Sequence, residues 1–512
     1  MGAELDQSIL GLAIFTPLVV ACMYFAGVGS KRGLALLAFG VPAFASLWVL
    51  LRFEETGVAE NGYRFVIEWE DTGLRKLGIA LRLGLNGISL PLFTLAGIVG
   101  FAAGWQALNS KMADSRVSMG LLALMQAGLM GTFASFDVFF FYFAHELALI
   151  PTFVLIGLHG GRDGRGAAIE MTIYLTLGAL LSLGGLIALY VSADVHSFDL
   201  ATLSEHLRSE PLEKGLQLWI FPMLLFGFGI LVALFPFHTW APRGYQEAPT
   251  PVSMLHAGVL KKFGLYGLVQ VASPLLSIGL EGFFDLLVWL ALGNIVLVGL
   301  IALAQTRLKR LVGYSSVMHM GYCFLGIAVG TTMGVSAAVL LMTAHGLAVS
   351  LWFLLERYVH DRTGTSEMSK MGGLATKTPV LACLFLACIL AAIGLPGFAN
   401  FWGEFGVFLS MADHGGMEVA LAFALAGVVI STIYGLRAIA KILFGEPSEA
   451  LQEREKKKPI EDLSPTERIP AVILLTALLW IGIWPRIISG PIDDEVSRKF
   501  IDDVVSEEGG LR

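Results

Sequence analysis

The chain has 512 residues, of which 56% are hydrophobic and 15% charged, with a net charge of -7 and a mean hydropathy of +0.74. A soluble domain carries about 25% charged residues, so this composition excludes a soluble enzyme and leaves room for about fourteen membrane spans of roughly 20 residues each. The charge carries no nucleic-acid signal, Met1 to Ser8 lacks the basic start of a cleavable signal peptide, and there is no iron–sulfur, haem, flavin or nucleotide motif.

In chain order, apolar runs predict helices over about 9–28, 33–52, 86–108, 118–135, 137–158, 168–192, 217–235, 252–276, 281–304, 314–332, 334–356, 378–411, 417–443 and 469–490. The seventh run ends near Phe235 and is followed by Pro236, His238 and Trp240, then by a Pro- and Gly-containing turn up to Pro251. The twelfth run is too long for one crossing and contains Gly394-Leu395-Pro396-Gly397, which should interrupt it, because Pro removes a helical hydrogen bond and Gly weakens the turn.

Two helices broken near their middle and five places apart predict two inverted five-helix halves, 118–276 and 281–443. An N-terminal segment of three helices, residues 1–117, precedes them, and a C-terminal segment, residues 444–512, follows. Basic residues collect in alternate loops: Lys31 and Arg32; Lys111 and Arg116; Arg162 and Arg165; Arg307, Lys309 and Arg310; Arg357, Arg362, Lys370 and Lys377; Lys456 to Lys458. The positive-inside rule then places those loops in the cytoplasm and both termini on the outer side. The charged linker Pro447 to Thr466 reads as a solvated loop. Cys22, Cys323, Cys383 and Cys388 lie in apolar runs without CxxC spacing and read as packing residues.

Ionisable residues inside the apolar runs are few: His145 and Glu146, His256, Lys261 and Lys262, His319, His345, Glu404, and Arg437 with Lys441 near a helix end, where snorkelling accounts for the charge. A lysine at mid-bilayer depth costs roughly 2.5–3.5 kcal/mol, so such residues usually serve an ion path. Burial disfavours charge, which brings acids and amines towards neutral pKa values where they can take and release protons. The alternative for Glu146, Lys262 and Glu404 is a static buried salt bridge, but buried pairs are poor stability devices. His319 and His345 could each simply hydrogen-bond a neighbouring carbonyl. Lys261 points about 100° away from Lys262 on a helix and serves either the path or a contact with a partner chain. His238 serves either a relay or the exposed backbone of the break.

Several motifs occur together in one order: HELALIP at 145–151, FPFHTWAP at 235–242, EAPTPVSMLHAG at 247–258, RLKRLVGYSSVMHMGY at 307–322, TAHGLAVS at 343–350, GGLATKTP at 372–379, GLPGFANFWGEF at 394–405 and DLSPTER at 462–468. In combination they resemble the antiporter-like membrane subunits of respiratory complex I, the M type most closely, over Leu85 to Pro485. The resemblance implies an all-α polytopic membrane protein of about fourteen helices with two inverted five-helix repeats and broken seventh and twelfth helices. It implies proton translocation driven by NADH:quinone oxidoreduction, with no redox cofactor in this chain and the flavin, iron–sulfur clusters and quinone on partner subunits. Subunits of the L and N types are the expected neighbours, and the inner (cytoplasmic) membrane the expected location.

By position, Glu146 matches the family's fifth-helix Glu, Lys262 the eighth-helix Lys, His319 and His345 the connecting histidines, and Glu404 the terminal acid. Glu at that last place looks like the M type, whereas L, N and the multisubunit cation/proton antiporters typically carry Lys. The sequence departs from the family in the seventh helix, where Leu231 and Ala233 replace the usual Lys and Pro. Glu146 thereby loses its usual partner, and His145 and Lys261 are the candidates to compensate. Smaller departures are Asn86 for an Asp, Glu170 for a basic residue and Arg307 for an acid. The rival readings are a subunit of a stand-alone cation/proton antiporter or of a membrane-bound hydrogenase, and a structural spacer with impaired pumping, which Leu231 keeps alive.

Overall fold

A computed structural model describes residues 2–59, 61–70 and 72–500. The apolar segments are α1 (Gly2–Phe25), α2 (Lys31–Arg52), α3 (Ser89–Leu108), α4 (Arg116–Ala134), α5 (Val138–His159), α6 (Gly164–Ser192), α7 (Lys214–Val232), α8 (250–275), α9 (Phe284–Leu303), α10 (Leu308–Val329), α11 (Thr332–Thr363), α12 (379–413), α13 (Glu418–Leu443) and α14 (Pro465–Ile483). Among the described residues, twelve helices are long and apolar enough to cross a membrane, α9 among them although it too holds a wide turn, at Gly293–Val298. The two others are interrupted. Wide turns in which the amide bonds five residues back divide α8, and α12 divides into Pro379–Ala392 and Ala399–Asp413. The protein is a polytopic, mostly helical membrane protein.

Burial sorts these helices. The most apolar stretch of α11 is 100% buried, against 39% for α6 and 33% for α13. A helix apolar all round must be enclosed, and α11 is the pillar on which α8, α10, α12 and α14 pack. Outer helices turn Ile169, Ile173, Leu180, Val419 and Val429 outward, as a surface solvated by acyl chains requires.

One end of the bundle carries a feature that the apolar runs did not predict, an antiparallel hairpin of β1 (Arg64–Trp69) and β2 (Leu81–Leu85), with Ile67 opposite Leu83. Arg82 ties it down, lying 3.2 Å from Asp137 and 3.2 Å from Asp199. Each of these acids also caps a helix. Asp137 accepts from the amides of Phe139 and Phe140 at the start of α5, and Asp199 from those of Ala201 and Thr202 at the start of Leu200–Ser209. A last amphipathic helix, α15 (Arg486–Phe500), lies at this hairpin end, where Pro491 and Glu495 sit against Gly87.

The other end gathers the basic loops, held by Arg362 with Glu467, Lys377 with Glu455, and Lys309 donating to Ala248 O. Here α14 starts with a capping box of Ser464 and Glu467. Two of the charge departures are answered at this end: Glu170 pairs with Arg243, and Arg307 lies 3.8 Å from Glu367.

Candidate functional site: a polar line through the bundle

Lys262 is fully buried, and among the described residues no carboxylate pairs with it. Its ammonium is held by two neutral acceptors, Ala257 O at 2.7 Å and His345 Nδ1 at 3.0 Å. The first follows from a local distortion of α8. The amide of Lys261 reaches back to His256 O at 2.9 Å instead of to Ala257 O, so the carbonyl of Ala257 is left for the ammonium. Wide turns of this kind often mark functional positions.

The second contact requires two helices to approach closely. A Cβ at Gly346 of α11 would sit 2.6 Å from Gly258 O, and one at Gly258 would collide with Ser350 Oγ. Glycine at both positions lets the backbones touch, which brings His345 within reach of Lys262.

From His345 the line continues to His319 of α10, the two rings being 5.8 Å apart between centroids. His319 Nδ1 is 2.7 Å from Ser315 O, and its Nε2 is 3.7 Å from Glu404 Oε1. The bond to Ser315 O fixes Nδ1 as the protonated nitrogen and leaves Nε2 to face the acid. Glu404 sits in the second half of α12, and its carboxylate lies against Gly394 of the break, where any Cβ would collide with it. Gly394 also has φ +74, a conformation that favours glycine.

His319 Nε2, Glu404 Oε1 and both side-chain atoms of Asn400 are buried without a protein partner. Buried polar atoms of this kind are ordinarily satisfied by internal water. Lys262, His345, His319 and Glu404 thus form one row of exchangeable protons across α8, α11, α10 and α12.

The remaining candidates lie beside this row or apart from it. Lys261 turns to α10, donating to Ser316 O at 3.1 Å and Ser316 Oγ at 2.7 Å, so its ammonium is held there and not at Glu146. His256 Nδ1 is 3.1 Å from the Tyr245 hydroxyl, with Nε2 unpartnered. His145 is buried and stacks on Phe263 with 3.7 Å between ring centroids. Its Nδ1 is 3.5 Å from Glu146 Oε1, and neither atom makes a hydrogen bond.

Glu146 faces outward. Its side chain is 29% exposed, against 6% for Glu404. It edges a cavity of about 500 Å³ between α5 and α6 that includes Tyr142, Leu183, Ile187 and Tyr190. His238 stacks on Phe235 with its Nδ1 unpartnered and interacts with the backbone of Pro236 in the break; other exposed backbone groups of the break are served by a further residue.

That residue is Asn294 of α9, which the sequence reading did not single out. α7 ends at Ala233, whose φ is +72, and a cis peptide joins Phe235 to Pro236. Asn294 Oδ1 accepts from Phe235 N at 2.6 Å, while Nδ2 donates to Ala233 O and Val317 O, each at 3.0 Å. Trp240 Nε1 adds a bond to Ile230 O at 3.1 Å. A neutral Asn within an apolar run gives little signal, and its role appears only when the break is placed beside it.

The row lies within the stretch of the chain that known families share. The family model described as NADH:quinone oxidoreductase/Mrp antiporter, TM matches residues 135–431. NADH-quinone oxidoreductase subunit M of Rickettsia bellii is 30% identical over 94% of this chain and 96% of its own length. A chain of respiratory complex I from Thermus thermophilus with bound NADH superposes with a TM-score of 0.83 at 27% identity, covering 96% of this chain and 99% of that one. A chain of the Mrp complex from Dietzia sp. shares the fold, with a TM-score of 0.83 at 18% identity over 97% of this chain and 98% of its own. The sequence, the fold and the buried row of Lys, His and Glu thus agree, and the chain belongs to the NADH:quinone oxidoreductase/Mrp antiporter transmembrane family.

Proposed function

We propose that this chain is a proton-translocating membrane subunit of a complex I-type NADH:quinone oxidoreductase and carries no redox centre itself. The observation that carries this reading is the connected row Lys262, His345, His319 and Glu404, buried between helices and held mainly by neutral groups. A static clamp would pair the ammonium with a carboxylate. Here Lys262 is held by a carbonyl and an imidazole, both of which tolerate its neutral form, so a proton can leave it without leaving an unpaired charge behind.

Redox chemistry on flavin, iron–sulfur clusters and quinone in partner subunits would supply the drive. A change of charge at one end of the row alters the proton affinity of the next group, and bound water completes the transfers between them. Neighbours of the L and N types would flank the chain, one of them covering the outward-facing Glu146. The inner membrane is the proposed location, with the basic end cytoplasmic and the hairpin end outside. The breaks in α7 and α12 fit two inverted five-helix halves.

The test is purification of the assembled complex, reconstitution into liposomes, and measurement of protons moved per NADH oxidised. Lys262→Met should lower that ratio. An unchanged ratio in both Lys262→Met and Glu404→Gln would make the chain a spacer instead. Na⁺-dependent proton flux without NADH, from an assembly lacking redox subunits, would make it an antiporter subunit.

A further inference from the structure

We infer that Glu495, on the C-terminal helix α15, is a proton-carrying carboxylate that joins Lys262 to the hairpin end of the molecule by a second polar route. Glu495 is 6% exposed, yet it lies between two different surroundings. On its inner side, Asn86 Nδ2 donates to Glu495 Oε1 at 3.2 Å, and Asn86 and Gln270 exchange hydrogen bonds at 3.4 and 3.0 Å. On its outer side it lines a cavity of about 630 Å³ with Tyr63, Ser204, Arg208, Arg498 and Lys499. Arg498 pairs with it, and Lys499 lies 3.8 Å away while also donating to Gln270 Oε1.

The inner arm leads to the row already described. Gln270 Nε2 is 3.4 Å from the Tyr266 hydroxyl. Tyr266 follows Lys262 by four residues within a regular stretch of α8, so the two side chains share a face. One helical turn, about 5.4 Å, separates their Cα atoms along the axis; the ammonium lies back at Ala257 O and the hydroxyl forward at Gln270, so the wider gap between the polar atoms is the part of the route that a chain of bound waters would have to fill. A structural latch for α15 needs no such continuation. A charged group, two amides and a phenol leading in sequence from a surface cavity to a buried lysine make a path.

In this route the Lys262 ammonium gives up its proton, which passes through water at Tyr266 and the two amides to the Glu495 carboxylate. From there it leaves to water in the cavity, and Lys262 is reprotonated from its other side. The amides order water and do not themselves change protonation. The side chain at position 86 is a neutral amide, and the carboxylate beside it comes from α15.

The inference rests on the proposed pumping role, and the experiment separates the two. Assembled complexes carrying Glu495→Gln, Gln270→Leu, Lys262→Met, or Asn86→Asp combined with Glu495→Gln are placed in liposomes and compared by protons moved per NADH oxidised. Glu495→Gln keeps the shape and the hydrogen bond to Asn86, and it should lose the same share of the ratio as Lys262→Met. Gln270→Leu should lose a comparable share with the Glu495 carboxylate and its pairing to Arg498 left in place. Asn86→Asp in the Glu495→Gln background should restore at least half of the loss, a rescue that a latch would not give.

A full ratio in Glu495→Gln or Gln270→Leu beside a lowered one in Lys262→Met overturns the route and leaves the pumping role standing. Should Glu495→Gln fail to assemble, Gln270→Leu and the rescue variant decide. A full ratio in Lys262→Met removes both.

Discussion

The two halves of the bundle treat their acids differently. Around α12, Glu404 is enclosed, set against Gly394 and within 3.7 Å of His319. Around α5, Glu146 turns to a cavity on the outer surface, and Leu231, where the family resemblance implies a lysine, offers it no cation. Both acids were read from the same kind of signal, a lone carboxylate in an apolar run. A charge in a span locates a polar place, but only packing tells whether that place is inside the chain or at a surface that another chain completes. The row that ends at Glu404 is closed within this chain, with Lys262 of the first half joined to His345 of the second, whereas the first half's own acid is left open at its side.

The largest effect should come from Lys262→Met, which removes the ammonium between Ala257 O and His345. Transfer along the row should slow on the order of 100-fold, the low end of what a positioned acid–base group contributes, read as proton influx rate in liposomes. Glu404→Gln should come close to it. If Glu146→Gln matched either, the contrast between the halves would fail. Next is Asn294→Leu, which strips two backbone groups at the α7 break, Phe235 N and Ala233 O, and one in α10, Val317 O, of their partner. A loss of about 3 kcal/mol is expected at roughly 1 kcal/mol for each group, measured as earlier thermal dissociation of the purified complex.

Gly346→Ala should follow. It pushes a methyl against Gly258 O, spreads α8 from α11 at a cost of about 1–3 kcal/mol, and lengthens the contact between Lys262 and His345. Proton influx should fall while the quinone-reduction rate with an uncoupler stays near normal. Glu146→Gln should be the mildest, within about 1 kcal/mol, as for other partly exposed carboxylates. A larger loss in the assembled complex than in the isolated chain's own stability would show that a neighbouring subunit supplies the missing cation.

Much of this row was legible in the sequence, because Lys262, His319, His345 and Glu404 stand out against apolar surroundings and the breaks announce themselves through Pro and Gly. What was not legible is instructive. Ala257 acts through its carbonyl, so no side chain marks it. Asn294 and Ser316 are neutral and common in helices. Gly258 and Gly346 matter through the close approach of their two helices, 88 positions apart by their numbering. The hairpin of β1 and β2 lies between the second and third apolar runs, where Arg64, Glu68 and Arg82 leave no membrane-span signal. Lys261 was expected near Glu146, and its ammonium went to Ser316 because an adjacent helix offered two acceptors.

The wide turn at 256–260 has a further meaning for how this lysine is aimed. A regular helix advances 100° per residue, so a turn holding one residue too many is the trace of an insertion absorbed without breaking the helix. Everything beyond it, Lys262 included, is rotated relative to the start of α8 by about that angle. Removing one residue, such as Val259, would let the ladder close normally and give Ala257 O back to an amide. The lysine would then swing off His345 although every proton-carrying side chain remained in the sequence. The direction in which this helix points its charge is thus written in its length, and a single deletion could silence the row more completely than many substitutions.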